Sequence, residues 1–416
     1  MAGSRVSDVF VVGRLPRVTY NPRDKRGFEA AVRAYLDDRG TVLSVSGATK
    51  TGKTVLLRSM VPDAVWLSGG ALDSVGGMWE QVADALDLWA EHTTTSISSE
   101  RQGSTSEGGL NLAVRGSYSR GSESASSREE TLSRRSSIGA VARRALGRGL
   151  HVLVIDDFHY VNREAQLAIV RGVKDLVFDG LGVILASVPH RAFDAVRVEK
   201  EMTGRVAHLR ITAWSDDELV EIARLGFEAL HLVDEGGQLA ARLARESFAS
   251  PHLMQEFCKR LCRENGVDEA QQAVVLRAPT DWEAFFKETA VDTSKTAFDM
   301  LRTGPRQRSD RIRRVLKDGR ETDIYGAVLA AIAHTGPKLE IGYEALRASL
   351  RDVLESELPQ RHEVTRVLEQ MTQIAREKVE GEPVLEYDDE LSTVHISDPY
   401  FAFFLRWGEA ATGREE

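Results

Sequence analysis

Four residues at fixed spacing carry the first chemistry in this chain. Gly47, Gly52, Lys53 and Thr54 complete G-x-x-x-x-G-K-[ST] inside SVSGATKTGKTVLLRSM, residues 44–60. Glycines let a backbone curl and turn its N–H groups toward an anion. A lysine at this place reaches β- and γ-phosphates, and the following hydroxyl suits Mg2+. The run KTVLLRSM reads as a helix whose N-terminus faces the anion. Gly47, Ala48, Thr49, Lys50, Thr51, Gly52, Lys53, Thr54 and Val55 are therefore the expected nucleotide-binding loop. Lys50 either adds charge to that loop or is an ordinary solvated lysine.

A loop that grips a triphosphate needs an acidic strand end to hold magnesium. HVLVIDDFHYV supplies one, ending its apolar run in Asp156 and Asp157. Asp156 and Thr54 are the expected metal-holding pair. Asp157 is placed to polarise an attacking water, although it is shorter than a glutamate. Ser187 ends the next apolar run, LGVILAS, where it would bond a γ-phosphate, orient the water, or serve only as a turn residue. His159 either reports nucleotide state or makes a local hydrogen bond. Arg205, with Arg191 and Arg197 behind it, is a candidate arginine finger for a neighbouring subunit, against the plainer reading of surface ion pairs. The expected catalytic set is Asp157, Ser187 and Arg205.

The elements that must position these residues follow from periodicity. TVLSVSG, AVWLSG, LHVLVIDD, LGVILAS and VAHLRI read as short strands, and the runs between them have helical spacing. Strands separated by helices predict a parallel sheet covered on both faces. Residues 93–137 interrupt the pattern with Ser, Thr, Gly, Arg and Glu, too long for an ordinary loop. Within that insertion GGLNLAVRGSYSRG alternates apolar and polar residues, leaving open a small hairpin arm or a solvated segment. From Trp214 the pattern turns helical. Ser215 and Glu218 form a capping box, and a break near Ser250 and Pro251 separates two further helices. Three helical runs and two short strands from residue 321 onward suggest a winged helix. The expected divisions are 1–214, an ATPase core carrying the 93–137 insertion; 215–265, a helical lid; 266–320, a basic helical linker; 321–407, a winged helix; and 408–416, a tail.

Bulk numbers narrow the class. The chain has 416 residues, a net charge of −9 and 42% hydrophobic residues. That size allows two or three domains, and the acidic balance disfavours a globally polybasic binder. Cys258 and Cys262 stand four apart in a helical run, which fits small core residues better than a disulfide framework or zinc site. The first residues, MAGSRVSDVFVVGR, lack the apolar run of a secretory leader. No run approaches the ~18 apolar residues of a membrane span. A cytoplasmic location is the expectation.

On GATKTGKT and VLVIDD, which match Walker A and Walker B, the chain resembles P-loop ATPases of the AAA+ superfamily. It resembles in particular the Orc/Cdc6-like initiators, the transposon ATPases and the archaeal-type STAND ATPases. That resemblance implies an α/β P-loop NTPase parallel sheet with a helical lid and a following winged-helix domain. It implies ATP with Mg2+, and ATP over GTP. GVILAS takes the sensor 1 place, with Ser187 where many relatives have Asn or Thr. Arg205 falls near the family's finger position. ESFASPHLMQEFC resembles the lid turn but shows no sensor 2 arginine, and His252 lies near nucleotide-sensing positions. VHISDPYFAFFLRWG resembles the end of the archaeal-type winged helix. Its aromatics, Tyr400 among them, read as core packing or as a partner groove.

The basic segment LRTGPRQRSDRIRRVLKDGR supplies possible nucleic-acid contacts at Arg306, Arg308, Arg311, Arg313, Arg314 and Lys317. An inter-domain linker explains it as well. The candidate recognition helix mixes Arg361, His362, Arg366 and Arg376 with Glu363 and Glu369. The expected function is an ATP-binding and ATP-hydrolysing oligomeric switch. It would couple nucleotide state to duplex DNA or to a regulated partner protein. The alternatives are a STAND-like signalling or antiphage-defence ATPase with a partner effector, and a scaffold with little turnover.

Overall fold

Branched apolar residues favour pleated, buried strands, and the five such runs become β1 (Val42–Ser46), β2 (Val65–Ser68), β3 (Val152–Asp156), β4 (Gly182–Ser187) and β5 (Val206–Arg210). This computed structural model describes residues 4–88, 138–148, 151–188, 205–270, 273–290, 294–305, 312–379 and 383–408. The strands form one parallel sheet in the order β2-β3-β4-β1-β5. Every residue of β1 and β4 is buried, as central parallel strands require. The 93–137 insertion, for which a small hairpin arm or a solvated segment was left open, lies outside the described residues.

Alternate side chains of the strands feed two cores. On one face Leu43, Val45, Val154 and Ile184 pack with Phe28, Val32 and Tyr35 of α1 (Phe28–Asp38) and with Leu56 and Leu57 of α2 (Lys53–Met60). On the other, Leu153, Ile155, Val183 and Leu185 pack with α3 (Val75–Ala85), α4 (Ile138–Arg148) and α5 (Arg163–Phe178). Tyr35 ties α1 to the sheet. Its hydroxyl lies 2.8 Å from the Val183 carbonyl and 2.9 Å from that of Thr41, and it accepts from the Val183 N–H. Burial pushes this phenol up to about 12.

The chain beyond Thr212 is built mainly from helices around a third core. α6 (Asp216–Ala229) starts with the expected capping box: Ser215 accepts from Glu218 N–H, and Glu218 accepts from Ser215 N–H. α7 (Gln238–Arg245) and α8 (Pro251–Glu264) follow, the latter capped by Ser250 with proline in its first turn. α9 (Trp282–Ala290) and α10 (Lys295–Thr303) fall within 266–320. Phe285, Phe286 and Leu301 of these helices are buried in the shared core, so both helices are packed structure. Then come α11 (Ile324–His334), β6 (Glu340–Gly342), α12 (Tyr343–Val353), α13 (Arg361–Lys378), β7 (Leu385–Asp388), β8 (Thr393–Ile396) and α14 (Pro399–Trp407). This helix, strand, helix, helix, hairpin order is that of a winged helix. β6 adds a third antiparallel strand, in the order β6-β8-β7, that the sequence reading lacks.

Two compact units result. One joins the N-terminal segment through Lys25, Ala48–Val55 and the chain from Thr212 onward; the other comprises Arg26–Gly47 and Leu56–Ile211. Among the described residues no helix is long and apolar enough to cross a membrane.

Candidate nucleotide-binding site

The sheet unit brings several predicted residues to the carboxyl ends of its strands, where open α/β sheets bind ligands. Ser46, the last residue of β1, stands in register with Ser187 on β4 and Arg210 on β5. Gly47, where the loop begins, donates its N–H to the Ser187 carbonyl at 3.2 Å. Ser187 is buried. Asp156 ends β3, the strand on the other side of β4. Its Oδ1 accepts from the Asp157 N–H at 3.1 Å.

Asp157 has φ +52, a left-handed conformation that costs a non-glycine residue about 1 kcal/mol. Such strain gathers at functional sites. Gly69 explains how this turn fits. A Cβ there would lie 2.2 Å from the Asp157 carbonyl oxygen. His159 is buried in the same turn, and its ring lies 4.4 Å from that of Tyr160. Arg205 is exposed just before β5, and its carbonyl accepts from Val42 N–H at 3.0 Å. Arg191 and Arg197 lie outside the described residues.

The loop itself belongs to the other unit and has its own supports there. Gly52 adopts φ +92, open to glycine and strained for other residues. Lys53, the first residue of α2, is buried and donates its ammonium to the Ala48 carbonyl at 3.0 Å. Thr51 Oγ1 donates to the same carbonyl at 2.7 Å. Trp214 Nε1 donates to the Thr51 carbonyl at 2.9 Å, and the Arg23 guanidinium lies 4.6 Å from the Trp214 ring centroid. Arg23 in turn is buried and ion-paired with Glu218 at 2.8 Å. Thr54 is exposed in the first turn of α2. Thr49 Oγ1 is buried with no hydrogen-bond partner, the feature expected where an anion is to be received.

Of the two readings left open for Lys50, added loop charge or an ordinary solvated lysine, the second does not hold. Its ammonium lies 2.6 Å from Asp398 Oδ1 and 4.1 Å from the centroid of the Tyr400 ring. Tyr400 also hydrogen-bonds His252 through its hydroxyl. Trp214, Asp398 and Tyr400 are thus neighbours of the loop that no sequence motif assigns to it. Asp-Pro before the aromatic run was the visible signal, and in the sequence it pointed only to the end of a winged helix.

Of the possible nucleic-acid contacts, Arg306, Arg308 and Arg311 lie outside the described residues. Arg313 is exposed and paired with Glu321. Lys317 donates to the Arg351 carbonyl at 3.0 Å. Arg314 is buried, donating to the Glu357 carbonyl at 2.7 Å. On α13, Arg361, His362, Arg366 and Arg376 are exposed. Arg361 lies over the Tyr343 ring, 4.7 Å from its centroid, and Arg376 pairs with Glu386 at 3.0 Å.

No protein-family model matches this sequence, and no curated protein does. Solved structures do. One is Cdc6p from Pyrobaculum aerophilum, 13% identical over 95% of this chain and 96% of that one, with a TM-score of 0.41. Another is the Orc2 protein of Aeropyrum pernix in ADPNP–ADP complexes, 11% identical over 95% of each chain, TM-score 0.46. A third is the RuvB Holliday junction branch migration motor of Thermotoga maritima, 15% identical over 93% and 95%, TM-score 0.37. The roles of individual residues rest on the geometry above.

Proposed function

We propose that this chain is an ATP-binding and ATP-hydrolysing oligomeric switch that couples nucleotide state to engagement of a partner. The observation that carries this reading is the β1–loop–α2 connection. It combines a left-handed Gly52, a buried Lys53 held on a loop carbonyl and a buried, unpartnered Thr49 hydroxyl. Donors gathered in this way suit an anion, and an exchange of the Ala48 carbonyl for phosphate would cost Lys53 little. Bound Mg-ATP would supply an activated γ-phosphoryl group. Gly47 to Val55 would hold its phosphates, and Thr54 and Asp156 would hold Mg2+. Asp157 would orient and deprotonate the water, and Ser187 would bond the γ-phosphate or help to orient that water. Arg205 is exposed, as an arginine finger reaching a neighbouring subunit must be.

A protein partner is the favoured output over duplex DNA. Arg314 is buried, and the end of β7 with the turn after it carries Asp388, Asp389 and Glu390, a poor match to a polyanion. Titration calorimetry and native mass with Mg-ATP, each with and without duplex DNA, test the reading. Binding by the wild type, loss in Lys53→Ala and a nucleotide-dependent change of mass support it. Absence of Mg-ATP uptake by the folded chain refutes it. Turnover stimulated by duplex would move the favoured partner to DNA, and binding without turnover would reduce the chain to a scaffold.

A further inference from the structure

Three segments distant in sequence meet at one side chain. Tyr400 stands in the first turn of α14, His252 in the first turn of α8, and Lys50 within the phosphate loop. Asp398 caps α14, accepting from Tyr400 N–H at 3.0 Å, and the same Oδ1 receives the Lys50 ammonium at 2.6 Å. The Lys50 and Asp398 side chains are 30% and 25% exposed, enough shielding to strengthen the pair beyond an ordinary surface ion pair. The Tyr400 ring adds a cation–π face on the same ammonium.

The backbone adds a second observation. Lys50 holds φ +60, where glycine would sit without strain. Strained backbone of this kind gathers at functional and switch segments.

We infer that Lys50, Asp398 and Tyr400 form a latch that fastens the phosphate loop to the C-terminal helix, and that Mg-ATP releases it. The inference rests on the nucleotide reading above and adds the residues through which the loop's occupancy reaches the winged-helix region. The physical reason is competition for charge. One ammonium neutralises Asp398. A triphosphate in the loop would draw on the same ammonium and repel the Asp398 carboxylate. Linkage makes the effect reciprocal: whatever nucleotide weakens must, when removed, favour nucleotide.

The test uses the full chain with Lys50→Gly, Asp398→Asn and the double variant. Asparagine still caps a helix, so Asp398→Asn removes charge while keeping the turn. Hydrogen exchange of the α14 amides is read without nucleotide. Each single variant should lower protection about three- to tenfold, and the double variant no further than either, the coupling of a contacting pair. Saturating Mg-ATP should bring the wild type to the variants' level. Calorimetry should show Asp398→Asn binding Mg-ATP about three- to tenfold more tightly, the reciprocal of the same coupling. Tyr400→Phe, which keeps the ring, should retain most of the Lys50 coupling.

Additive losses in the double variant would overturn the latch. So would unchanged α14 protection in a wild type that calorimetry shows to be loaded with nucleotide, or unchanged affinity in Asp398→Asn. A wild type that takes up no Mg-ATP would overturn both the release step and the nucleotide reading. That case is distinguished by the calorimetric blank, with the apo coupling still measured.

Discussion

Arg314 lies in a basic run, yet its side chain is 7% exposed and serves the Glu357 carbonyl and, at 3.9 Å, Glu363. Removing it empties a buried side-chain position and costs the structure a charge-assisted hydrogen bond to the Glu357 carbonyl. Arg314→Ala should therefore lower stability by about 1–3 kcal/mol, whereas exposed Arg313→Ala should cost about 0–1 kcal/mol. Urea titrations of the two variants check the contrast, and equal losses would refute it. A charge run cannot announce which of its members turns inward, because that depends on carbonyls more than forty residues away. His252 carries a second residue-scale prediction. Burial, and then the charge of Lys50, hold its imidazole below the ordinary value, against a smaller opposite effect of Asp398. The unfolded chain then binds the proton first. Stability should fall as pH drops below the free imidazole value of about 6.5, and level off once the folded form also protonates. His252→Gln should remove that slope; an unchanged pH profile would rule the assignment out.

Among the elements, α6 illustrates what local sequence can say. Ser215 and Glu218 announced its start, and the reciprocal bonds are present. Ser215→Ala should cost about 1 kcal/mol, as loss of an N-cap does. Farther along the same helix, Gly226 has a requirement that no propensity reveals. A Cβ there would stand 2.2 Å from the Phe10 ring. Gly226→Ala should cost about 1–3 kcal/mol through overpacking, read as a fall in the melting temperature, while a neutral outcome would mean that Phe10 is not anchored on α6. The strands, loop and acidic strand end were legible because each is written in consecutive residues with period or spacing. β6 was not, since three residues of Glu-Ile-Gly form a strand only through pairing with β8. Nor was the packed character of α9 and α10, whose phenylalanines find partners such as Phe257 and Phe403 far from them in sequence. The neighbours of the loop were hidden for the same reason: Lys50 and Asp398 are 348 residues apart.

For the whole molecule, the proposed ligand should itself be a stabiliser. Mg-ATP at about 100 times its dissociation constant should add about 2.7 kcal/mol, and Lys53→Ala should abolish that gain in thermal melts. Net charge of −9 and the acidic stretch at Asp388 to Glu390 predict weak, salt-sensitive retention on duplex DNA, improved when those three acids are neutralised. Tight duplex binding by the unaltered chain would refute that expectation. The phenol of Tyr35 has a further consequence. Its folded value of about 12 stands above the ordinary tyrosine value of about 10. Between those two limits the unfolded chain releases the proton and the folded one keeps it, so alkali drains stability from the sheet unit. In that window the ultraviolet absorbance of this ring becomes a native optical gauge. It stays silent while α1 remains docked on β4 and reports phenolate when that seam opens, with no label attached.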